Sequence, residues 1–110
     1  MALIKDESDK FEKYQDVFQH ELVAIIKLAL TDAGIPNAQA KNATNDIAFA
    51  ISSFFDGCGD YCFIKDDEFR PLLAFERKAE PSVLYYSPGG AMHEKVEEHV
   101  DYAYRHSLGL

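Results

Sequence analysis

Along the first third of the chain, hydrophobic side chains recur at steps of three and four residues. They are Phe11, Tyr14, Phe18, Leu22, Ile25, Ala29 and Ala33. This spacing places them on one face of a helix. Ser8 or Asp9 can cap the start of that helix. Gly34, followed closely by Pro36, is typical of a helix end. The pattern therefore predicts a long amphipathic helix over residues 9–33.

A second helical pattern follows almost directly. It begins at Pro36 or Asn37 and ends at Asp56-Gly57. Its hydrophobic stripe consists of Ala40, Ala43, Ile47, Ile51 and Phe54. Because the connection between the two helices is short, we expect them to form an antiparallel helical hairpin.

After residue 57 the hydrophobic period changes from helical to strand-like. Residues 61–65, 70–76 and 82–86 form three short candidate strands, and Asp66-Asp67-Glu68 reads as a polar turn between the first two. Short connections favour antiparallel pairing over parallel crossovers. The sequence thus predicts a three-stranded antiparallel meander.

The chain returns to a helical pattern at its C-terminal end. The run Ser87-Pro88-Gly89-Gly90 closes the sheet, and a last stripe follows with Met92, Val96, Val100 and Ala103. The predicted fold is α+β with the order ααβββα, in two layers, with the helical hairpin and the last helix on one sheet face. Residues 1–8 are expected to be a flexible N-terminus, and residues 9–110 a single domain.

Some apolar residues lie outside the predicted stripes. Val23, Leu28 and Leu30 flank the stripe of the first helix, and Phe49 points away from Ile47 and Ile51 on the second. One interpretation is a helix that is buried on several sides by the rest of the domain. The other is a subunit interface, because exposed apolar patches usually mark contact sites and homodimers are the commonest oligomers. We expect a homodimer through these four residues.

Composition narrows the class of partner. The 110 residues carry a formal net charge of −8. That charge argues against binding to nucleic acid or to anionic lipid, both of which require a basic surface. It is compatible with a basic protein partner. The sequence shows no secretory signal or membrane-spanning stretch, and two cysteines are too few for a disulfide framework, so a cytoplasmic location is expected.

The two cysteines, Cys58 and Cys62, are the first candidates for chemistry. A zinc site needs further ligands, and the spacing of His93, His99 and His106 does not match the usual pattern. His93-Glu94 fails the H-E-x-x-H motif, because position 97 is glutamate. We therefore expect no metal, no cofactor and free structural thiols.

The remaining candidates are histidines and loop carboxylates. His99 lies within the last hydrophobic stripe, so we expect it to be buried and hydrogen-bonded. A catalytic alternative makes His99 or His93 the general base for Cys58 or Cys62. The acidic residues around the cysteines are expected to be solvated turn carboxylates: Asp56, Asp60, Asp66, Asp67 and Glu68.

These observations favour a small cytoplasmic protein-interaction or regulatory module without enzymatic activity. A narrower version is an acidic inhibitor, of the immunity-protein type, that neutralises a basic partner such as a nuclease toxin. The rival hypothesis is a small Cys/His-dependent enzyme.

Overall fold

The computed structural model describes residues 3–5, 8–57, 62–87 and 91–106. The elements are β1 (Leu3–Lys5), α1 (Ser8–Asp32), α2 (Asn37–Phe55), β2 (Cys62–Ile64), β3 (Asp67–Phe69), β4 (Phe75–Glu76), β5 (Val83–Tyr85), a 3₁₀ turn (Met92–Lys95) and α3 (Val96–His106). This confirms the α+β class and the order of two helices, strands and a final helix. The candidate residues Cys58 and Asp60 lie outside the described residues, as do Gly89-Gly90 of the predicted sheet end and the side chain of His106.

Both predicted helix ends are confirmed, and each uses a glycine with positive φ. Gly34 has φ 82°. Its N–H donates to the Thr31 carbonyl at 3.0 Å, while the N–H of Ile35 donates to the Leu30 carbonyl at 3.1 Å. These two bonds form a Schellman motif, which satisfies the last carbonyls of α1. Gly57 adopts φ 79° directly after α2.

The buried face of α1 differs from the predicted stripe. Phe11, Gln15, Gln19 and Val23 are buried at four-residue steps, and Ile26 packs on the core. Ile25 is 64% exposed, and Ala29 and Ala33 are exposed as well. The hydrophobic pattern missed this face because two of its members are glutamines, and Gln19 finds its hydrogen-bond partners, Ser52 and the Met92 carbonyl, only in the folded protein.

The same correction applies to α2. Its buried residues are Ala40, Thr44, Ala48 and Ser52, whereas the predicted stripe members Ile47 and Phe54 remain substantially exposed. Small side chains on the buried face allow neighbouring helices to approach closely. Van der Waals contacts at this face therefore come from the short distance between the helices and not from large side chains.

Polar groups in the interior connect the three helices. Gln19 Nε2 donates to the Met92 carbonyl at 2.7 Å and to Ser52 Oγ at 3.1 Å. Thr44 Oγ1 donates to the Ala40 carbonyl at 2.7 Å, so the Tyr104 hydroxyl, 2.7 Å away, must donate to Thr44. Since buried polar groups are costly unless paired, these bonds fix how the helices sit together.

The hydrophobic core lies where the three helices meet. Val23, Ala48, Val96 and Val100 form its buried cluster, and Met92 is fully buried. The predicted stripe of the last helix is therefore confirmed. Lys27 Nζ donates to the Ala103 carbonyl at 2.9 Å, which places a positive charge at the C-terminal end of α3, where the helix dipole favours it.

The strands form two sheets, which differs in detail from a single meander. The first has the order β1-β5-β4, with β1 parallel to β5 and β4 antiparallel to it. Leu3–Lys5 thus pairs with β5, where the sequence indicated a flexible end. A strand of three residues is too short to show a recognisable hydrophobic pattern in the sequence. Phe75 of this sheet packs against Phe11, Tyr14 and Phe18 of α1, with ring centroids 5.4–5.9 Å apart.

The second sheet is the two-stranded hairpin β2–β3, joined by a turn at residues 65–66. Its register pairs Cys62 with Phe69, Phe63 with Glu68 and Ile64 with Asp67. Asp67 and Glu68, predicted as turn residues, therefore lie in a strand. Within the described part of the chain, no helix is long and apolar enough to cross a membrane.

Candidate functional site

Of the predicted Cys/His candidates, the structure describes the side chains of Cys62, His93 and His99. Cys62 is a half-buried free thiol at the start of β2. His93 lies in the 3₁₀ turn and His99 one helical segment later, and their described side-chain bonds go to Asp56 and Asp16, not to Cys62. Among the side chains that the structure describes, no group of three potential metal ligands comes together.

His93 and Asp56 form a short, largely buried polar contact. Asp56 Oδ2 accepts the backbone N–H of His93 at 2.7 Å and lies 2.5 Å from His93 Nδ1. The Asp56 side chain is only 3% exposed and the His93 side chain 26%. The expectation of a solvated turn carboxylate at Asp56 is therefore wrong. Asp56 follows α2 directly, so its carboxylate ties the end of α2 to the turn that leads into α3.

This contact has both a structural and a chemical consequence. A carboxylate that accepts a backbone N–H at the start of a helical segment acts as a cap supplied by another element. To donate to Asp56, His93 must carry a proton on Nδ1. When the ring is neutral, Nε2 is then an acceptor, which is the tautomer that a general base requires. The ring of Phe49 packs edge-on against His93, 5.9 Å between centroids.

His99 is confirmed as largely buried, with its side chain 12% exposed. Its Nε2 lies 2.9 Å from Asp16 Oδ1 on α1. The centroid of the His20 ring lies 6.1 Å from that of His99 and 5.6 Å from that of Tyr102. This cluster joins α1 to α3 along their shared edge. It holds a histidine in place but brings no described nucleophile to it.

The cleft beside Asp56 is too small for a substrate. Its lining includes Gln15 from α1, Asp56, and Arg70 and Leu72 from the segment after β3. It encloses about 20 Å³, which is roughly the space for one water molecule. A second depression, between α2 and α3, is wide and open and is lined mainly by polar side chains such as Asn42, Asn45 and Glu97. Neither depression resembles the enclosed, mostly apolar pocket of a small-molecule site.

The four interface candidates fall in different environments. Val23 is fully buried in the core, so including it in an exposed surface is wrong. It contacts the other helices within the same chain. Leu28 is 62% exposed and Phe49 48% exposed, while Leu30 is half-buried. Leu28 and Phe49 are thus the candidates that remain accessible, on α1 and α2 respectively.

Among the described residues outside the helices, the most exposed large apolar side chains, Phe63 and Ile64, belong to the β2–β3 hairpin. Phe63 and Ile64 are 63% and 64% exposed, and Phe69 and Leu72 are also substantially exposed. Among the described residues, the two strands contact each other more extensively than they contact any helix. This hairpin presents apolar side chains on both of its faces and pairs with no further described strand. Isolated two-stranded hairpins are only marginally stable in water.

Acidic side chains surround these apolar groups. Asp66, Asp67 and Glu68 are all exposed at the turn and in β3, and the basic residues Lys65 and Arg70 lie on either side of the segment 66–69. Phe63 and Glu68 are cross-strand partners, as are Ile64 and Asp67. We call the set of Phe63, Ile64, Phe69 and these three carboxylates the hairpin surface. Because side chains alternate along a strand, Ile64, Phe69 and Asp67 share one face of the hairpin, and Phe63 and Glu68 share the other. Each face thus combines an exposed aromatic side chain with a carboxylate, a composition that suits protein binding.

Asp56 and Asp16, the partners of the two histidines, were not recognised from the sequence. Each lies 37 or more residues from its histidine, so no local spacing links the pairs. No protein-family model, curated protein or solved structure matches this chain.

Proposed function

We propose that this protein is a non-enzymatic interaction module of the cytoplasm, and that the hairpin surface binds a basic protein partner. The observation that carries the proposal is the exposure of Phe63, Ile64 and Phe69 beside three carboxylates. Burying aromatic side chains supplies the affinity of most interfaces. The acidic border, together with the net charge of −8, favours a partner of positive charge and speeds its approach.

A narrower version is an inhibitor of the immunity-protein type. Such a protein covers a basic surface, for example the nucleic-acid-binding face of a nuclease, by presenting carboxylates where phosphates would lie. The hairpin surface has the charge for this role and apolar groups that a phosphate backbone lacks.

The test compares binding by matched variants. The wild-type protein, Phe63→Ser/Ile64→Ser and Asp66→Asn/Asp67→Asn are immobilised and exposed to lysate of the native cell, and the bound proteins are quantified by mass spectrometry. Glu94→Gln/Glu98→Gln, which removes two exposed carboxylates elsewhere, is the control. We expect a basic protein that is retained by wild type and control, lost with the apolar variant, and weakened by the acidic variant and by added salt. If every bound protein is retained equally by all four, the hairpin surface is not the binding site.

A second candidate function rests on the Asp56–His93 pair. A buried carboxylate that orients a histidine through Nδ1 occurs in acyl-transfer enzymes, where Nε2 activates a nucleophile. In a Cys/His-dependent enzyme, Cys58 or Cys62 would be that nucleophile. The rate of alkylation of each cysteine against pH, in wild type and in His93→Gln, separates the two functions. The interaction module predicts the same slow reaction in both proteins. A thiol that reacts fast below neutral pH only when His93 is present would favour the enzyme.

A further inference from the structure

One face of α1 carries a row of six exposed side chains whose spacing is symmetric. The row is Lys13, Val17, Glu21, Ala24, Leu28 and Asp32, and all six are exposed. Their steps along the chain are four, four, three, four and four residues, so they lie in one strip of the helix surface. Val17 and Leu28 are each 62% exposed. We call this strip the outer row of α1.

Because the steps read the same from either end, reversing the helix maps the row onto itself. In that reversal Lys13 exchanges with Asp32, and Val17 exchanges with Leu28. The central pair is Glu21 and Ala24. Each position thus exchanges with one that complements it: positive with negative, apolar with apolar, and long with small.

We propose that the outer row of α1 is a self-complementary interface that pairs two copies of this chain with their α1 helices antiparallel. A two-fold axis would pass between the central positions, as in an isologous dimer. Lys13 would face the partner's Asp32, and Val17 would face the partner's Leu28. Glu21 would extend its stem over the partner's Ala24 and keep its carboxylate in water.

The charges disfavour the parallel arrangement of the same faces. A parallel pair would place Lys13 against the partner's Lys13 and Asp32 against the partner's Asp32, with Glu21 against the partner's Glu21 at the centre. Like charges at matched positions are repulsive. The antiparallel register replaces all of these contacts with favourable or neutral ones.

The geometry also limits the crossing angle. Lys13 and Asp32 are separated by roughly 28 Å along the helix axis, from a rise of about 1.5 Å per residue. Both ends can meet their partners only if the helices stay close along this length, which requires a shallow crossing of about 20° and not the steeper one of about 50°. Ile25, 64% exposed beside the row, widens the apolar centre.

A charge exchange tests both the surface and its register. Sedimentation equilibrium at micromolar concentrations measures the dimer dissociation constant of wild type, Lys13→Glu, Asp32→Lys and the double variant that carries both changes. We expect each single change to weaken the dimer by about 3- to 30-fold, because symmetry removes two exposed ion pairs at once. The double variant restores pairing, because it inverts both charges together. Lys78→Glu, an exposed change of the same charge outside α1, controls for net charge and should leave the constant within about twofold.

Leu28→Glu probes the apolar centre and should convert the protein to a monomer, since it places a charge against the partner's Val17 in both halves. Circular dichroism checks that α1 remains helical, which is expected because Leu28 is exposed. A wild-type protein that is monomeric at these concentrations overturns the proposal. So does a dimer that Leu28→Glu leaves intact, or one that the double charge exchange fails to restore. The hairpin variants should still dimerise, so the failure of this interface and the failure of the hairpin surface are distinguishable.

Discussion

The helical core and the β2–β3 hairpin distribute their side chains in opposite ways. At the centre of the helices, buried positions hold small or polar residues such as Gln19, Thr44, Ala48 and Ser52. The hairpin, by contrast, exposes Phe63, Ile64 and Phe69. The comparison shows that side-chain hydrophobicity alone does not decide burial in this protein, although Val23, Val96 and Val100 are buried as expected. Close helix approach and directional bonds decide it in the core.

The two regions should also differ in local stability. The core combines close packing with hydrogen bonds between elements, so opening it exposes both apolar surface and unpaired polar groups. The hairpin has few contacts with the helices, and segments of that kind open at low free-energy cost. A region that is weakly held and apolar is suited to bind a partner, whereas the core is suited to hold the domain together.

The largest expected difference comes from truncating one apolar side chain in each region. Met92 is fully buried, so Met92→Ala should lower the free energy of unfolding by about 2–5 kcal/mol. Phe63 is 63% exposed, so Phe63→Ala should change it by less than about 0.5 kcal/mol. Urea unfolding followed by circular dichroism measures both. Equal losses would mean that the hairpin is part of the cooperative core, which would contradict the comparison.

Gln19 tests whether the directional bonds of the core contribute to stability. Gln19→Leu keeps a similar volume but removes the donor to the Met92 carbonyl, so we expect a loss of about 1–3 kcal/mol. The gain from removing the Gln19 Oε1 atom, which has no described partner, offsets part of this cost. Gln39→Leu on the exposed start of α2 is the matched control and should be close to neutral. A stabilising Gln19→Leu would show that the polar network is not needed for the core.

Substituting each of two glycines that share a left-handed backbone conformation compares the end of α1 with the segment that precedes the hairpin. Gly34→Ala meets no atom within 4 Å, so its cost is the left-handed conformation alone, about 1–2 kcal/mol. At Gly57 an added Cβ would overlap with Arg70 Nη1. Because that atom is at the end of a flexible side chain, Arg70 can move aside, and the stability loss should be similar. Amide hydrogen exchange should nevertheless change around residues 62–70 in Gly57→Ala and not in Gly34→Ala. An unchanged pattern would mean that Arg70 does not connect Gly57 to the hairpin.

The sequence predicted the helices better than it predicted their buried faces. The helix ends at Gly34 and Gly57 depend on the left-handed conformation that glycine adopts, and a glycine after a helical pattern can be recognised in the sequence. The faces of α1 and α2 depend on partners that lie far along the chain, such as the Met92 carbonyl 73 residues from Gln19. No periodicity reveals that a glutamine will be buried. For the same reason, Asp56 was assigned to solvent although it binds His93 across 37 residues.

His99 provides the smallest and most selective test. The sequence predicted its burial, and the structure gives it a carboxylate partner, Asp16, whose side chain is 52% exposed. An ion pair or hydrogen bond open to water on one side contributes only about 0.2–1 kcal/mol. His99→Gln should therefore cost less than the disruption of the Gln19 network, and a double-mutant cycle with Asp16→Asn should give a coupling energy in that range. Because the described bond of His99 goes to α1 and not to a thiol, the alkylation rate of Cys62 should be the same in His99→Gln as in wild type. If the alkylation rate of Cys62 falls in His99→Gln, His99 must influence the thiol directly. The helical core would then contact the first strand of the hairpin, which the described contacts do not show.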